Sequence, residues 1–244
     1  MLGRRAIAVP SDGFGRSSPG ERIAFVRNFS LFADLAGADC ATIIASAHEK
    51  RFHRRQTLFS IGDPVEQIFL LLSGSIKITQ VGFKGTEVIL RLCGAGDLVG
   101  IFSLLPDCKN SSSAQAVQPC TALVWDSATF ARLLEHFALL HRNTFRAVEQ
   151  RLHELEQRLR EISTEDVPSR LSSELIRLSR RFGDGVNGTG IRLTHTDLAQ
   201  LAGTTLPTVS RLLGRWQKLG IISIGHDGMR IHDFAALQEL SQGE

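Results

Sequence analysis

Thr194-His195-Thr196-Asp197-Leu198-Ala199-Gln200-Leu201-Ala202-Gly203-Thr204-Thr205-Leu206-Pro207-Thr208-Val209-Ser210-Arg211-Leu212-Leu213-Gly214-Arg215-Trp216-Gln217-Lys218-Leu219-Gly220 reads as a complete helix-turn-helix. Thr194 followed three residues later by Asp197 fits a capping box, and Leu198, Leu201 and Ala202 give the first helix one apolar face. Gly203 ends it. Thr205 is placed to cap a second helix, where Pro207 falls in the first turn and forfeits no intrahelical bond. Val209, Leu212, Leu213 and Trp216 recur at helical spacing and form the expected buried stripe. Thr208, Ser210, Arg211, Arg215 and Lys218 are left facing outward. Small polar side chains and one Arg near the N-terminal end suit base edges, while basic residues further along suit phosphates. The expected partner is double-stranded DNA, with Thr204, Thr205, Thr208, Ser210, Arg211, Arg215 and Lys218 as candidate contacts.

Beyond Gly220, Ile221-Ile222-Ser223-Ile224, a Gly225-His226-Asp227-Gly228 turn and Met229-Arg230-Ile231-His232 predict a strand, a turn and a strand, so the helix-turn-helix carries a hairpin wing. Between Val167 and Gly220 eight basic residues (Arg170, Arg177, Arg180, Arg181, Arg192, Arg211, Arg215 and Lys218) face three acidic ones (Glu174, Asp184 and Asp197), a local net charge of +5. A solvated basic surface would give the same count. Here the excess coincides with the helix-turn-helix pattern, which favours a footprint on phosphate.

The whole chain is far less basic. Its 244 residues carry a formal net charge of +3 and are 43% apolar, enough for two modest domains with their own cores. No run reaches the roughly 18 apolar residues that span a bilayer, so a cytoplasmic protein is expected. Residues 1–19 combine a short apolar run after Arg4 and Arg5 with a Gly/Ser/Pro-rich stretch, and are read as a flexible tail and not a signal peptide. Cys40, Cys93, Cys108 and Cys120 show no CxxC spacing, and free, mostly buried thiols are expected. HExxH, GxSxG and a phosphate-cradling glycine loop are all missing, which argues against an enzyme.

Upstream, Gln56–Phe59, Gln67–Leu72, Ser75–Thr79 and Glu87–Leu92 alternate with glycine turns in the rhythm of an antiparallel roll. Ser127 is expected to cap a helix through Phe130, Leu133 and Leu134. After a break near His136 a longer helix follows, in which Phe145, Val148, Leu152, Leu155, Leu159 and Ile162 recur at alternating steps of three and four. Its flanks, including Arg146, Glu149, Gln150, Arg151, Glu154, Arg158 and Glu161, are polar. A stripe this narrow is a heptad seam between two helices rather than one helix lying on its own core, and implies a homodimer. The expected fold is therefore α+β with two domains: an effector domain over 20–136 built on the antiparallel β-roll, a dimerisation helix over 137–163, and a winged helix-turn-helix over 164–244.

The string Thr57-Leu58-Phe59-Ser60-Ile61-Gly62-Asp63-Pro64-Val65-Glu66-Gln67-Ile68-Phe69-Leu70-Leu71-Leu72-Ser73-Gly74-Ser75-Ile76-Lys77-Ile78, with Gly94-Ala95-Gly96-Asp97-Leu98-Val99-Gly100, resembles the β-roll of cyclic-nucleotide-binding domains. Together with the heptad helix and with Thr208-Val209-Ser210-Arg211-Leu212-Leu213 and Lys218-Leu219-Gly220-Ile221-Ile222, it resembles the Crp/Fnr superfamily of bacterial transcription regulators over about residues 30–240. The resemblance implies an effector in the roll that shifts the dimer helices and reorients two winged helices onto a palindromic operator. It also implies RNA polymerase as a partner if the protein activates.

Departures from the family pattern bear on the effector. The pocket positions carried over by the resemblance are Gly100, Ile101, Ser111, Ser112, Ser113 and Leu155. Members that bind cyclic AMP have a Glu after the glycine at Gly100 and an Arg just before the serine at Ser112 or Ser113. Here those places hold Ile101 and Ser111 or Ser112, and Leu155 stands where the adenine meets a Thr. A buried phosphate without its Arg forfeits a charge-assisted bidentate contact, and Ile101 cannot accept from a ribose hydroxyl, so cyclic AMP is disfavoured. An iron–sulfur cluster is disfavoured too, because Cys40 stands alone in the N-terminal part where such sensors gather cysteines. Haem stays open as a gas-sensing alternative, with His48, His53, His136, His141 and His153 as candidate ligands, although a lone His is more often a surface or capping residue. Cys108, with Lys109 as its basic neighbour, is read as inert. Relatives usually have Glu where this chain has Pro207, which cannot accept from a cytosine amino group, so the operator should differ at the facing base pair. From another class, a ligand-binding or scaffold module that makes protein contacts through its helix-turn-helix is opposed by Arg211, Arg215 and Lys218 on one exposed face.

Overall fold

The computed structural model describes residues 18–83, 85–101, 108–182, 193–225 and 228–243. Most of the expected tail, Asp184 and Arg192 of the basic stretch, and His226 and Asp227 at the wing tip lie outside the described residues. The chain divides into two compact units: Met1–Ile78 with Leu92–His153, and Thr79–Arg91 with Glu154–Glu244.

The first unit begins with α1 (Pro19–Val26), a short 3-10 turn at Ser30–Phe32 and α2 (Gly37–Ala45). Strands β1 (His48–Phe52), β2 (Thr57–Phe59), β3 (Gln67–Ser73), β4 (Ile76–Val81), β5 (Glu87–Cys93), β6 (Leu98–Val99), β7 (Ser113–Ala116) and β8 (Cys120–Asp126) follow, with the end of β4 from Thr79 and β5 as far as Arg91 counted in the second unit. They form two four-stranded sheets, in the orders β1-β8-β3-β6 and β2-β7-β4-β5. The pairings β1–β8, β3–β8, β3–β6 and β2–β7 are antiparallel, as the roll requires.

The period-two alternation of a strand explains how the central pair serves two cores at once. Phe69 and Leu71 of β3, with Ala122 and Val124 of β8, enter the interior of the roll beside Phe52, Ile76, Cys93, Ala114 and Ala116. Ile68, Leu70 and Leu72, with Leu123 and Trp125, point the other way, onto Val26 of α1 and onto Cys40, Ile43 and Ile44 of α2. Both faces are therefore dry. Trp125 meets the polar demand of its ring by donating from Nε1 to the Ile43 carbonyl oxygen at 2.9 Å. The turn between β3 and β4 needs Gly74, at φ +75°, because a Cβ there would lie 2.6 Å from the Cα of Cys120.

Helix α3 (Ser127–His136) corrects the expected cap. Asp126, the last residue of β8, is the N-cap and accepts from the Thr129 N–H at 2.7 Å, and Ser127 is already helical. The carboxylate is the stronger acceptor at a helix start, where the macrodipole also favours a negative charge. The long helix α4 (Ala138–Thr164) spans the heptad segment. In its first half Leu140 enters the core beside α1 and α2, and Asn143 donates to the carbonyl oxygens of Leu31 and Ala33 at 3.1 and 2.7 Å.

The second unit contains α5 (Val167–Phe182), α6 (His195–Ala202), α7 (Leu206–Lys218), the hairpin of β9 (Ile222–Gly225) and β10 (Gly228–Ile231), and α8 (Phe234–Gln242). Leu171 and Leu175 of α5, Leu198 and Ala202 of α6, Val209, Leu213 and Trp216 of α7, Ile222 of β9 and Leu237 of α8 share one apolar core. Cys40, Cys93, Cys108 and Cys120 are free thiols, the first, second and fourth of them buried. Burial pushes the Cys120 thiol up to about 12. Among the described residues no helix is long and apolar enough to cross a membrane.

Candidate nucleic-acid interface

Helix α6 starts on the expected capping box: the Thr194 hydroxyl accepts from the Asp197 N–H at 3.1 Å, and Asp197 accepts in return from the Thr194 N–H at 3.0 Å. It stops at Gly203, whose φ of +61° is the left-handed cap that glycine adopts without strain. In α7 Val209, Leu212, Leu213 and Trp216 are buried, which turns Ser210, Arg211, Arg215 and Lys218 to solvent, with Thr208 and Thr204 half-buried. Thr205 departs from the expectation. Its backbone is extended like an N-cap, but its side chain caps nothing and its hydroxyl lies 3.0 Å from that of Thr208. The second residue of the helix is Pro207, which has no N–H to offer a cap.

The wing pairs Gly228 with Gly225 and Ile231 with Ile222 in antiparallel register. Two arginines hold the C-terminal end of α6. Arg158 of α4 donates to the carbonyl oxygens of Leu201 at 2.5 Å and of Leu90 at 3.1 Å, and Arg170 of α5 donates to that of Ala202 at 3.1 Å. These bonds satisfy carbonyls that the C-terminal turn of α6 leaves without intrahelical donors. Burial pulls Arg158 below the usual arginine range. Arg177 joins α5 to α4 by donating to the buried Glu161 at 2.6 Å and to Glu174 at 2.8 Å. Burial alone would lower Arg177, and the hydrogen bond to Glu161 with the Glu174 charge holds it above its ordinary value instead. The polar flank expected on α4 thus includes buried members, Arg151 and Glu161.

The matched families fall on the same two parts of the chain. "Cyclic nucleotide-binding domain" matches residues 49–137 and "Crp-like helix-turn-helix domain" matches residues 169–240. The "Anaerobic regulatory protein" of Pasteurella multocida is 31% identical over 196 residues, 79% of this chain and 71% of that one. The chain belongs to the Crp/Fnr family of transcription regulators. The "Cyclic AMP receptor protein" of Thermus thermophilus is 28% identical over 213 residues, covering 87% of this chain and 97% of its own. The structure of FixK2 from Bradyrhizobium japonicum superposes with a TM-score of 0.70 over 80% of this chain and 96% of that one, at 18% identity, a likeness of fold.

In this Crp/Fnr regulator three of the six positions carried over for the effector, Gly100, Ile101 and Ser113, are committed to the fold itself. Gly100, at φ +89°, lets its backbone approach β3, since a Cβ would lie 2.8 Å from the Gln67 carbonyl oxygen. Ile101 is 7% exposed and packs with the core residues of α1 and α2, not with the interior of the roll. Ser113 accepts from the Ile61 N–H at 2.9 Å, whereas Ser111 is exposed and Ser112 half-buried. On α4, Phe145, Leu152, Leu155, Leu159 and Ile162 are between 40% and 68% exposed, an apolar line left open among the described residues. Val148 is half-buried against the core of its own unit. One residue of the α6–α7 face has no sequence signal: His195, whose Nδ1 lies 3.0 Å from the Ser210 Oγ.

Proposed function

We propose that this Crp/Fnr regulator is a homodimer that reads a palindromic duplex site through α7, under the control of an effector other than cyclic AMP. The observation that carries the reading is the division of α7 into a buried stripe of Val209, Leu212, Leu213 and Trp216 and an exposed face of Ser210, Arg211, Arg215 and Lys218. Ser210 and Arg211 stand where the N-terminal half of a recognition helix reaches base edges, and Lys218, two turns further on, is placed for phosphate. The exposed apolar line on α4 supports a second copy as its cover, because five apolar residues at heptad spacing bury well only against another helix. Its twofold symmetry calls for two half-sites about 34–36 Å apart.

The residues present disfavour cyclic AMP. Ile101 offers no acceptor for a ribose hydroxyl and is taken up in the core, and Ser113 is engaged by the chain's own backbone. Titrating duplex binding with salt tests the reading: log affinity should fall steeply and linearly with log salt, by about 0.9 per phosphate neutralised. A scaffold that makes protein contacts through this face would bind duplex weakly or not at all.

A further inference from the structure

The side chain of Ser210 forgoes the bond that a helical serine commonly makes. Such a hydroxyl either points to solvent or turns back to the carbonyl four residues earlier. Here the Oγ instead meets Nδ1 of His195, 15 residues away at the start of α6, at 3.0 Å on the exposed face that presents Arg211. Among the described residues neither side chain has another hydrogen-bond partner.

This pairing constrains what Ser210 can offer a base. A neutral imidazole carries one N–H and one lone pair. If Nδ1 accepts from the serine hydroxyl, Nε2 carries the proton and points a donor outward, while Oγ shows only lone pairs. If Nδ1 donates, Nε2 shows a lone pair and the hydroxyl proton is free to donate. DNA distinguishes the two arrangements. A duplex surrounds the groove with phosphate oxygens that accept from an outward N–H and repel an outward lone pair. For the neutral ring, contact with DNA therefore favours the first arrangement.

We propose that His195 is a specificity-positioning residue that sets Ser210 as an acceptor, so that Ser210 selects a base with an exocyclic amino group in the major groove, adenine or cytosine. A lone serine hydroxyl accepts or donates and discriminates little, whereas an acceptor held by His195 matches adenine N6 or cytosine N4 and not guanine or thymine. The inference rests on the placement of α7 in the groove.

The test begins with the selected operator of the wild-type dimer and the base pair whose preference Ser210→Ala removes. That base is then replaced by its analogue lacking the amino group, purine for adenine or 2-pyrimidinone for cytosine. Wild type should lose about threefold to tenfold in affinity, the worth of one hydrogen bond, and His195→Ala should lose almost nothing. His195→Asn, whose amide oxygen stands near the place of Nδ1, should regain the sensitivity, which a merely structural role for His195 would not produce. The proposal is overturned if wild type prefers guanine or thymine there, if it ignores the amino group, or if His195→Ala remains as sensitive as wild type. A wild-type protein that selects no motif would instead overturn the groove placement on which the inference rests.

Discussion

Arg158 of α4 and Leu201 of α6 are joined by a guanidinium-to-carbonyl hydrogen bond of 2.5 Å, and the same guanidinium holds the Leu90 carbonyl of β5 at 3.1 Å. A cation is well placed at the C-terminus of a helix, where free carbonyls gather negative potential. Replacing Arg158 with Met keeps the stem and removes both bonds. The second unit should lose about 1.5–3 kcal/mol in denaturant unfolding, and amide exchange in α6 should accelerate, because bonds from a charged donor are lost while carbonyls stay shielded from water.

The apolar line on α4 predicts the oligomeric state. Leu152 and Leu159 are 58% and 68% exposed in the single chain, so Leu152→Lys with Leu159→Lys costs the monomer's core nothing. In a dimer the same changes bury unpaired charges. Sedimentation should show monomers, together with weakened operator binding, and a double variant that stays dimeric would refute the seam.

Asp166 predicts an acid-dependent stability difference. Its carboxylate accepts from the Ser169 N–H at 2.9 Å at the start of α5, and the hydrogen bonds from Ser169 hold its pKa below the ordinary aspartate value. A depressed folded pKa contributes stability that is present above the unfolded value and is lost as pH falls through the folded one. Asp166→Ala should therefore destabilise the second unit by about 0.5–2 kcal/mol near neutral pH, as the loss of a cap does. The deficit should shrink as the pH falls through and below 3.8. A deficit independent of pH would mean that the carboxylate contributes through packing alone.

Calorimetry with cyclic AMP should show no tight binding and no effect on operator affinity, given Ile101 in the core and no Arg preceding Ser112 or Ser113. A dissociation constant in the low micromolar range or below would overturn this. The absorption and mass spectra of the purified protein identify any effector it carries, haem included.

The helix-turn-helix was legible because its signals are local. The Thr194–Asp197 box, the αL glycine at Gly203 and the apolar period of α7 each lie within a few residues. Strand β8 escaped notice, since Cys120 to Trp125 are buried on both faces and show no alternation, and β1, with Lys50 and Arg51, has the composition of a loop. The capping of α3 shifted by one residue because two neighbouring side chains, Asp126 and Ser127, were both able to cap. Arg158 looked like a solvated flank. Its partners, Leu90 and Leu201, lie 68 and 43 residues away, and bonds to backbone carbonyls leave no trace in residue identity. The His195–Ser210 contact joins two side chains 15 residues apart on successive helices, and the local pattern around neither residue signals the pairing.

Selection from a random duplex library, run on wild type, Arg211→Ala and Lys218→Ala, tests the reading of DNA by α7 most directly. Wild type should return a palindrome. Arg211→Ala should lose about 1–3 kcal/mol on that site and flatten the preference at one base pair of each half-site. Lys218→Ala should return the same motif, bind every duplex more weakly by a similar factor and lower the salt slope by about one. If Arg211→Ala yields the same sharp motif as wild type, Arg211 reads no base and α7 does not lie in the groove as described.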